Sequence, residues 1–493
     1  MRQSFHCSLL VLLLAALPAL AADPDAAVAV VVGHNASPDL DRPALRYADD
    51  DAVQYAELFD ELGCHTHLLT ELDEGSQKLH PALAPDGPPS RAAIREALAA
   101  VNRTAEQRRA QGGRTTLYFV YTGHGDVRHG EGFITLKDGP LSRDDFYREV
   151  LEASAADSNH VIIDACKSYY LVFDRGEGSR EPYREPFDSR SELLRFPDTG
   201  FLLSTSSAQN SHEWEGFQAG VFSHEVRSGL RGGADIDGNG TITYRELAAF
   251  VYAANQGIKN ERYRPRFLAV PPVGDDSLTR TAPDRQRSVA LDRGQPHHLF
   301  VEDRDGNRLA DVRLGAAEVR LFLPHCLLYV RDLDDDLEYR LDEDAAPRLS
   351  EIEPSPPRSA IRGAADEALR QLFRHPLDRT AYDSVQRSAH FLDRSQIVLA
   401  PSIEAESKPR LPALVWTGIG VSAGLAILGG GLRLGANHSF GEYKRAPADE
   451  QPDLRTRVEA LDYSAYASWG LAGAVAVTTL ILYFVLPPDD EKE

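Results

Sequence analysis

The chain has 493 residues, 42% of them apolar, with a formal net charge of −22 and a pI near 5.2. That length exceeds one ordinary domain, and the apolar fraction is enough for a packed core. The acidic balance excludes a nucleic-acid partner, which would need a basic face; the densest acidic run, Asp332–Asp344, reads as solvated surface.

The first 21 residues read as a signal peptide. Arg2 precedes an apolar stretch, Leu9–Leu20, and Ala19-Leu20-Ala21 makes a small-x-small cleavage site. Export is therefore expected, with the main domain extracytoplasmic, and periplasmic in a Gram-negative source. Cys7 leaves with this segment. Cys64, Cys166 and Cys326 remain, an odd number that leaves at least one thiol free; a Cys64–Cys326 pairing stays open.

Ala26–Val32 is an apolar run ending at Gly33, a buried strand. Ala44–Leu62 has helical spacing and stops at Gly63. His65–Leu69 is a short strand, and Asp73–Pro89 a Pro-rich loop. Ser90 is placed to cap a helix over Arg91–Arg109. Thr115–Tyr121 is a strand, Gly132–Lys137 a hairpin arm, Ser142–Ala153 a helix and Val161–Asp164 a strand. Gly200–Ser204 is a further strand and Val221–Leu230 a helix. Strands alternating with helices predict an α/β fold with a mainly parallel sheet, covered on both faces, within a domain over residues 24–275.

Beyond Pro272 the pattern shortens and alternates, which predicts a small antiparallel β domain over 284–351. Residues 352–410 read as a linker containing one helix, Ala364–Phe373. Two uncharged stretches follow, Leu411–Leu432 and Tyr463–Pro488, of 22 and 26 residues. Each is long enough to span a bilayer, so a transmembrane helix pair and membrane anchoring are expected over 411–488. The loop between them carries Arg433, Lys444, Arg445, Arg455 and Arg457, which sets it on the cytoplasmic side. Gly420 and Gly424 form a small-xxx-small pair suited to helix contact.

Chemistry concentrates at two strand ends. Thr115–Asp126 (TTLYFVYTGHGD) places His124 just past one strand, and Asn159–Ser168 (NHVIIDACKS) places Cys166 just past another, 42 positions later. Ligands and chemistry sit at the carboxyl ends of strands in α/β sheets. A thiol is a good nucleophile only as thiolate and needs a base or cation beside it. An imidazole can take that proton and return it to a leaving amine. The oxyanion needs backbone N–H donors, and Gly125, without a side chain, lets its N–H approach.

The sequence resembles the caspase and metacaspase superfamily of cysteine peptidases, nearest to bacterial caspase-like proteins. The resemblance rests on Y-T-G-H-G-D at 121–126 and I-I-D-A-C-K-S at 162–168, with weaker echoes at Leu45–Ala52 and Phe201–Trp214. It implies a caspase fold, three-layered around a six-stranded sheet. It implies a cysteine endopeptidase acting on protein or peptide through a His124/Cys166 dyad. By the metacaspase pattern, Asp164 would line the pocket for the residue before the cut bond and favour Arg or Lys. Cleavage after Asp would instead need an arginine there, for which Arg46 is the candidate. Residues 175–198 stand where caspases carry an inter-subunit linker, and self-cleavage after Arg180, Arg184 or Arg190 is the corresponding expectation. Lys167-Ser168-Tyr169-Tyr170 departs from the family pattern, and its tyrosines could narrow the cleft. The alternative from another class is a catalytically silent caspase-fold scaffold that recruits a partner at the membrane.

Asp235–Glu246 (DIDGNGTITYRE) matches the EF-hand loop pattern. Asp235, Asp237 and Asn239 would supply side-chain oxygens, Thr241 its carbonyl and Glu246 a bidentate carboxylate to a structural Ca2+.

Overall fold

The structure is a computed structural model that describes residues 25–37, 40, 42–128, 130–172, 193–204, 213–259, 264–282, 285–292, 296–315, 318–343, 348–358, 371–394, 413–444, 446–447 and 450–485. The leader, Arg180, Arg184, Arg190 and most of the helix expected over Ala364–Phe373 lie outside these residues. The chain divides into two compact units, Met1–Ile397 and Val398–Glu493.

The first unit is built on a six-stranded sheet. Its strands are β1 (Ala26–His34), β2 (His65–Thr70), β3 (Thr115–Gly123), β7 (Ser158–Asp164), β8 (Thr199–Ser204) and β12 (Phe267–Val270), in the order β12-β8-β7-β3-β1-β2. All neighbours run parallel except β12, which is antiparallel to β8. Strand alternation splits the core in two. Ala29 and Val31 face helices Ala48–Glu61, Val221–Ser228 and Tyr244–Asn255, whereas Val28, Val30 and Val32 face helix Arg91–Ala110 and the turn Tyr147–Leu151. The sheet is thus the middle of three layers, as expected.

Local signals set the element ends. Ser90 accepts from the Ala93 amide and starts the helix Arg91–Ala110. Ser142 caps the next helix in the same way. Helix Ala48–Glu61 begins later than its apolar spacing suggested, because Asn35 at the end of β1 accepts from the amides of Ala48 and Asp49 and fixes the first turn there. A small antiparallel arm, β4 (Gly125–Arg128), β5 (Glu131–Ile134) and β6 (Leu141–Ser142), follows directly from β3.

Downstream, β14 (Arg287–Leu291) pairs with β17 (Val319–Leu323), and β15 (His298–Asp303), β16 (Arg308–Arg313), β18 (Leu328–Asp332) and β19 (Leu337–Leu341) form an antiparallel sheet ordered β16-β15-β18-β19. Val289, Leu299 and Val330 of these strands belong to the same buried cluster as Val31 and Phe222. Leu372, Phe373 and Val385, from the segment read as linker, join it too. Phe391 then bridges to Ala269 on β12, and the Arg394 guanidinium donates to the carbonyls of Leu193, Phe196 and Thr199. This part of the linker is packed structure.

The second unit contains helices Ala413–Tyr443 and Gln451–Val485. Their inner face is made by close approach: a Cβ on Gly418 would lie 2.1 Å from Thr479 Oγ1, and one on Gly429 2.4 Å from Trp469 Nε1. Gly420 and Gly424 face open space instead. An Arg433–Asp462 ion pair adds a polar link. Among the described residues no helix is long and apolar enough to cross a membrane, so the expected transmembrane pair is corrected. Length is not what fails, since the helices have 31 and 35 residues. The first contains eight glycines and Arg433, and the second opens on a charged stretch, QPDLRTRVEALD. Small and charged residues contribute little or adverse transfer energy.

Candidate active site

β3 and β7 are hydrogen-bonded neighbours with Thr122 opposite Asp164. Two residues beyond each partner stand His124 and Cys166, so parallel pairing brings both to one rim. They line one cleft of about 330 Å³, together with Arg42, Pro43, Asp164 and Glu213. Cys64, Cys166 and Cys326 are thiols without disulfides, which closes the question of a Cys64–Cys326 bridge.

His124 is buried, and its Nε2 lies 3.1 Å from the Pro43 carbonyl. A carbonyl can only accept, so Nε2 carries the hydrogen and neutral His124 keeps its lone pair on Nδ1. Burial holds the imidazole below its usual range; the Pro43 bond pulls the other way, and the Arg42 cation adds to the lowering. The main chain behind it is pinned, because the His124 carbonyl accepts from Tyr121 Oη at 2.9 Å and from the Thr135 amide at 3.0 Å.

Burial pushes the Cys166 thiol up to about 11, opposed chiefly by Arg42. The resting group is a thiol, so a base must take its proton as it attacks. Gly125 packs directly against the nucleophile's loop: a Cβ there would stand 2.6 Å from the Cys166 carbonyl. The Gly125 carbonyl accepts from Arg42 at 3.4 Å. In an antiparallel strand the N–H and C=O of one residue point to the same side. The Gly125 amide therefore faces away from β5, where a donor to an oxyanion is wanted.

Asp164 lines the cleft, and its Oδ2 accepts from Ser223 Oγ at 2.6 Å and the Ser223 amide at 3.1 Å. Burial raises its carboxyl above the usual range against those bonds. Glu213 brings a second carboxylate to the wall; it accepts from the amides of Arg46 at 3.0 Å and Tyr47 at 2.9 Å. Beneath them Asp51 pairs with Arg227 at 2.7 Å. Arg46 also lines the cleft, with its guanidinium over the Tyr47 ring. Tyr169 and Tyr170 are not among the lining residues; the main chain at Tyr170 packs on Gly132 of β5. Tyr169 packs against the buried cluster that contains Phe119 and Leu171.

Sequence reasoning missed Pro43, Glu213, Arg42 and the Asp51–Arg227 pair. One signal was available: three consecutive acids, Asp49–Asp51, open a helix whose neighbours are apolar, and all three are buried. Buried acids need partners. Pro43 left no trace, since a main-chain carbonyl has no sequence signature.

Residues 26–266, just under half of the chain, match the family model described as Caspase domain. This part of the chain is a caspase domain. No curated protein matches the chain. Among solved structures, a protein from Geobacter sulfurreducens is 17% identical, covering 50% of this chain and 93% of its own, with a TM-score of 0.29. Caspase-1 from Spodoptera frugiperda is 15% identical over 52% of this chain and 89% of its own, TM-score 0.30. Its precursor form is 12% identical over 52% and 91%, TM-score 0.31.

The acidic loop of the caspase domain contributes nothing to the cleft lining. Asp235 accepts from the amides of Gly238, Asn239 and Gly240, with Gly238 and Gly240 in the left-handed region at φ 74° and 77°. Glu246 closes a capping box with Thr243 at the start of helix Tyr244–Asn255. Thr241 begins β11 (Thr241–Thr243), which pairs with β13 (Ser277–Arg280). One oxygen each of Asp235, Asp237 and Glu246 lie within 4.8 Å of one another. Burial and the neighbouring acids raise the carboxyls of Asp235 and Glu246, a like-charge strain that a cation would relieve. The donor set and spacing fit calcium.

Proposed function

We propose that this protein is a cysteine endopeptidase that cuts peptide bonds after Arg or Lys. The observation that supports it most is the shared cleft: a thiol and an imidazole on adjacent parallel strands, with the imidazole's Nε2 committed to Pro43 and Nδ1 left to accept a proton. His124 Nδ1 takes the Cys166 proton as sulfur bonds to the scissile carbonyl carbon. The oxyanion is met by the amides of Gly125 and Cys166. His124 then passes its proton to the amine as the C–N bond breaks, leaving a thioester. Water, deprotonated by the same nitrogen, releases the acid and restores the thiol. Asp164 and Glu213 supply the negative wall for a basic side chain, and Asp51 is already neutralised by Arg227.

We extend the reading to export through residues 1–21, and to a structural calcium held by Asp235, Asp237, Asn239, Thr241 and Glu246. Calcium there would supply charge neutralisation and a fixed turn before helix Tyr244–Asn255. A peptide-library digest tests the first claim: wild type should cut after Arg and Lys, and Cys166→Ala should not cut. Cleavage confined to Asp sites, or equal cleavage by the variant, would sink it. Fractionation of expressing cells tests export.

A further inference from the structure

Three charged side chains bracket the nucleophile. The Asp126 carboxylate receives the Arg42 guanidinium on one oxygen and the Lys167 ammonium on the other. The three come from separate places: the loop before helix Ala48–Glu61, the start of the arm after His124, and the turn just past Cys166. All are sheltered, at 22%, 15% and 34% exposed for Arg42, Asp126 and Lys167. Arg42 spends another N–H on the Gly125 carbonyl. Lys167 sits at φ 59°, a conformation that side chains other than Gly, Asn or Asp seldom adopt and that persists only when its surroundings hold it. Its bond to Asp126 does so.

The groups that act on the Cys166 sulfur are Arg42 and Lys167 on the positive side and Asp164 and Asp126 on the negative side, with Arg42 the strongest. His124 shares the cleft. Asp126 thus has two effects: it fixes the cations in place and partly cancels them. Burial works against its own charge, but Lys167, the Val127 amide and Arg42 hold it below the usual carboxylate range, so the triad stays ionised.

We propose that Arg42 is a positioning residue for the nucleophile: Asp126 holds its guanidinium at the cleft mouth, where it favours the Cys166 thiolate and orients the Gly125 peptide, while Lys167 locks the turn that carries the sulfur. This deepens the peptidase reading and rests on it. The latch ties three segments that must stay in register for attack, and its charges set how readily the thiol ionises.

The test is the rate of Cys166 alkylation by iodoacetamide across pH 6–10 in the full chain, resolved by peptide mass. One unit of thiol pKa is tenfold in thiolate, partly offset by changed nucleophilicity. Arg42→Ala is therefore expected to slow labelling about three- to tenfold at pH 8, and Arg42→Lys to restore most of it. Asp126→Asn removes the opposing anion while its amide oxygen still accepts from Arg42, and should speed labelling. A structural role alone would slow both Arg42→Ala and Asp126→Asn, and that result, or a wild-type rate in Arg42→Ala, overturns the proposal. Buried Cys64 reports folding, since it labels only when the core opens; if Arg42→Ala exposes it, Arg42→Lys and Asp126→Asn decide by the same signs. Cleavage assays judge the peptidase reading separately. A wild type that cuts nothing, yet shows both alkylation effects, removes the peptidase and leaves the latch.

Discussion

At the scale of residues, the site depends on where individual hydrogens and atoms can be. Gly125 has no room for a methyl group beside the Cys166 carbonyl, so Gly125→Ala must displace the nucleophile's turn. A shift near 1 Å costs roughly a hundredfold in rate, and kcat for a basic peptide should fall by about that factor while Tm changes little. Asp164→Asn removes the floor charge from the cleft; losing one member of a buried charge pair costs about 2–5 kcal/mol, read as a drop of about 30-fold or more in kcat/KM for Arg substrates. The pH profile follows from the two dyad members. Neutral His124 is required, and its pKa lies below 6.5, so activity is lost as pH falls through that lowered value. The alkaline limb belongs to Cys166, near 11. A broad plateau across neutral pH is expected in kcat/KM, and a limb centred near 8 would contradict this assignment.

At the scale of elements, helix Val221–Ser228 carries the arrangement. One side faces the cleft: Ser223 holds Asp164, and Arg227 holds Asp51. The other faces the small β sheet: His224 Nε2 lies 2.7 Å from Asp311 Oδ2 on β16, and Ser228 Oγ accepts the Asp311 amide. Every residue of this helix is buried, because it lies between two sheets. Arg227 is 1% exposed and also lies over the Tyr55 ring. Burial pushes the Asp51 carboxyl up to about 8 even against Arg227, so in Arg227→Met it takes up a proton and keeps the Gly220 amide as a partner; a loss of about 1–3 kcal/mol is expected in urea unfolding at pH 8. A change under 1 kcal/mol would show that the pair does not hold the cleft floor together.

At the scale of the whole molecule, the calcium proposal concerns stability. A ligand bound only by the folded state adds about 2.7 kcal/mol at a hundredfold excess over Kd, which moves Tm by several degrees in a domain of this size. Calcium should raise Tm, EDTA should reverse the change, and Glu246→Gln should abolish it. An identical melting curve with and without calcium would dispose of the site. The strands after Pro272 and the segment 371–394 share the main unit's buried cluster, so truncation at residue 275 should expose that core and yield aggregated protein.

The sequence by itself determined what local chemistry can determine. Continuous apolar runs placed β1, β3 and β7; Ser90 and Ser142 placed helix starts; and the motifs around His124, Cys166 and Asp235 named the reactive groups, because each lies within a few residues of the signal that marks it. Tertiary structure decided what depends on partners distant in the chain. The Pro43 carbonyl behind His124, Glu213 beside Asp164, Arg227 beneath Asp51 and Asp126 between two cations are contacts across 41 to 176 positions. A strand or cap is fixed by its neighbours in sequence. A cleft is made by strand order, and only the folded sheet brings those ends together.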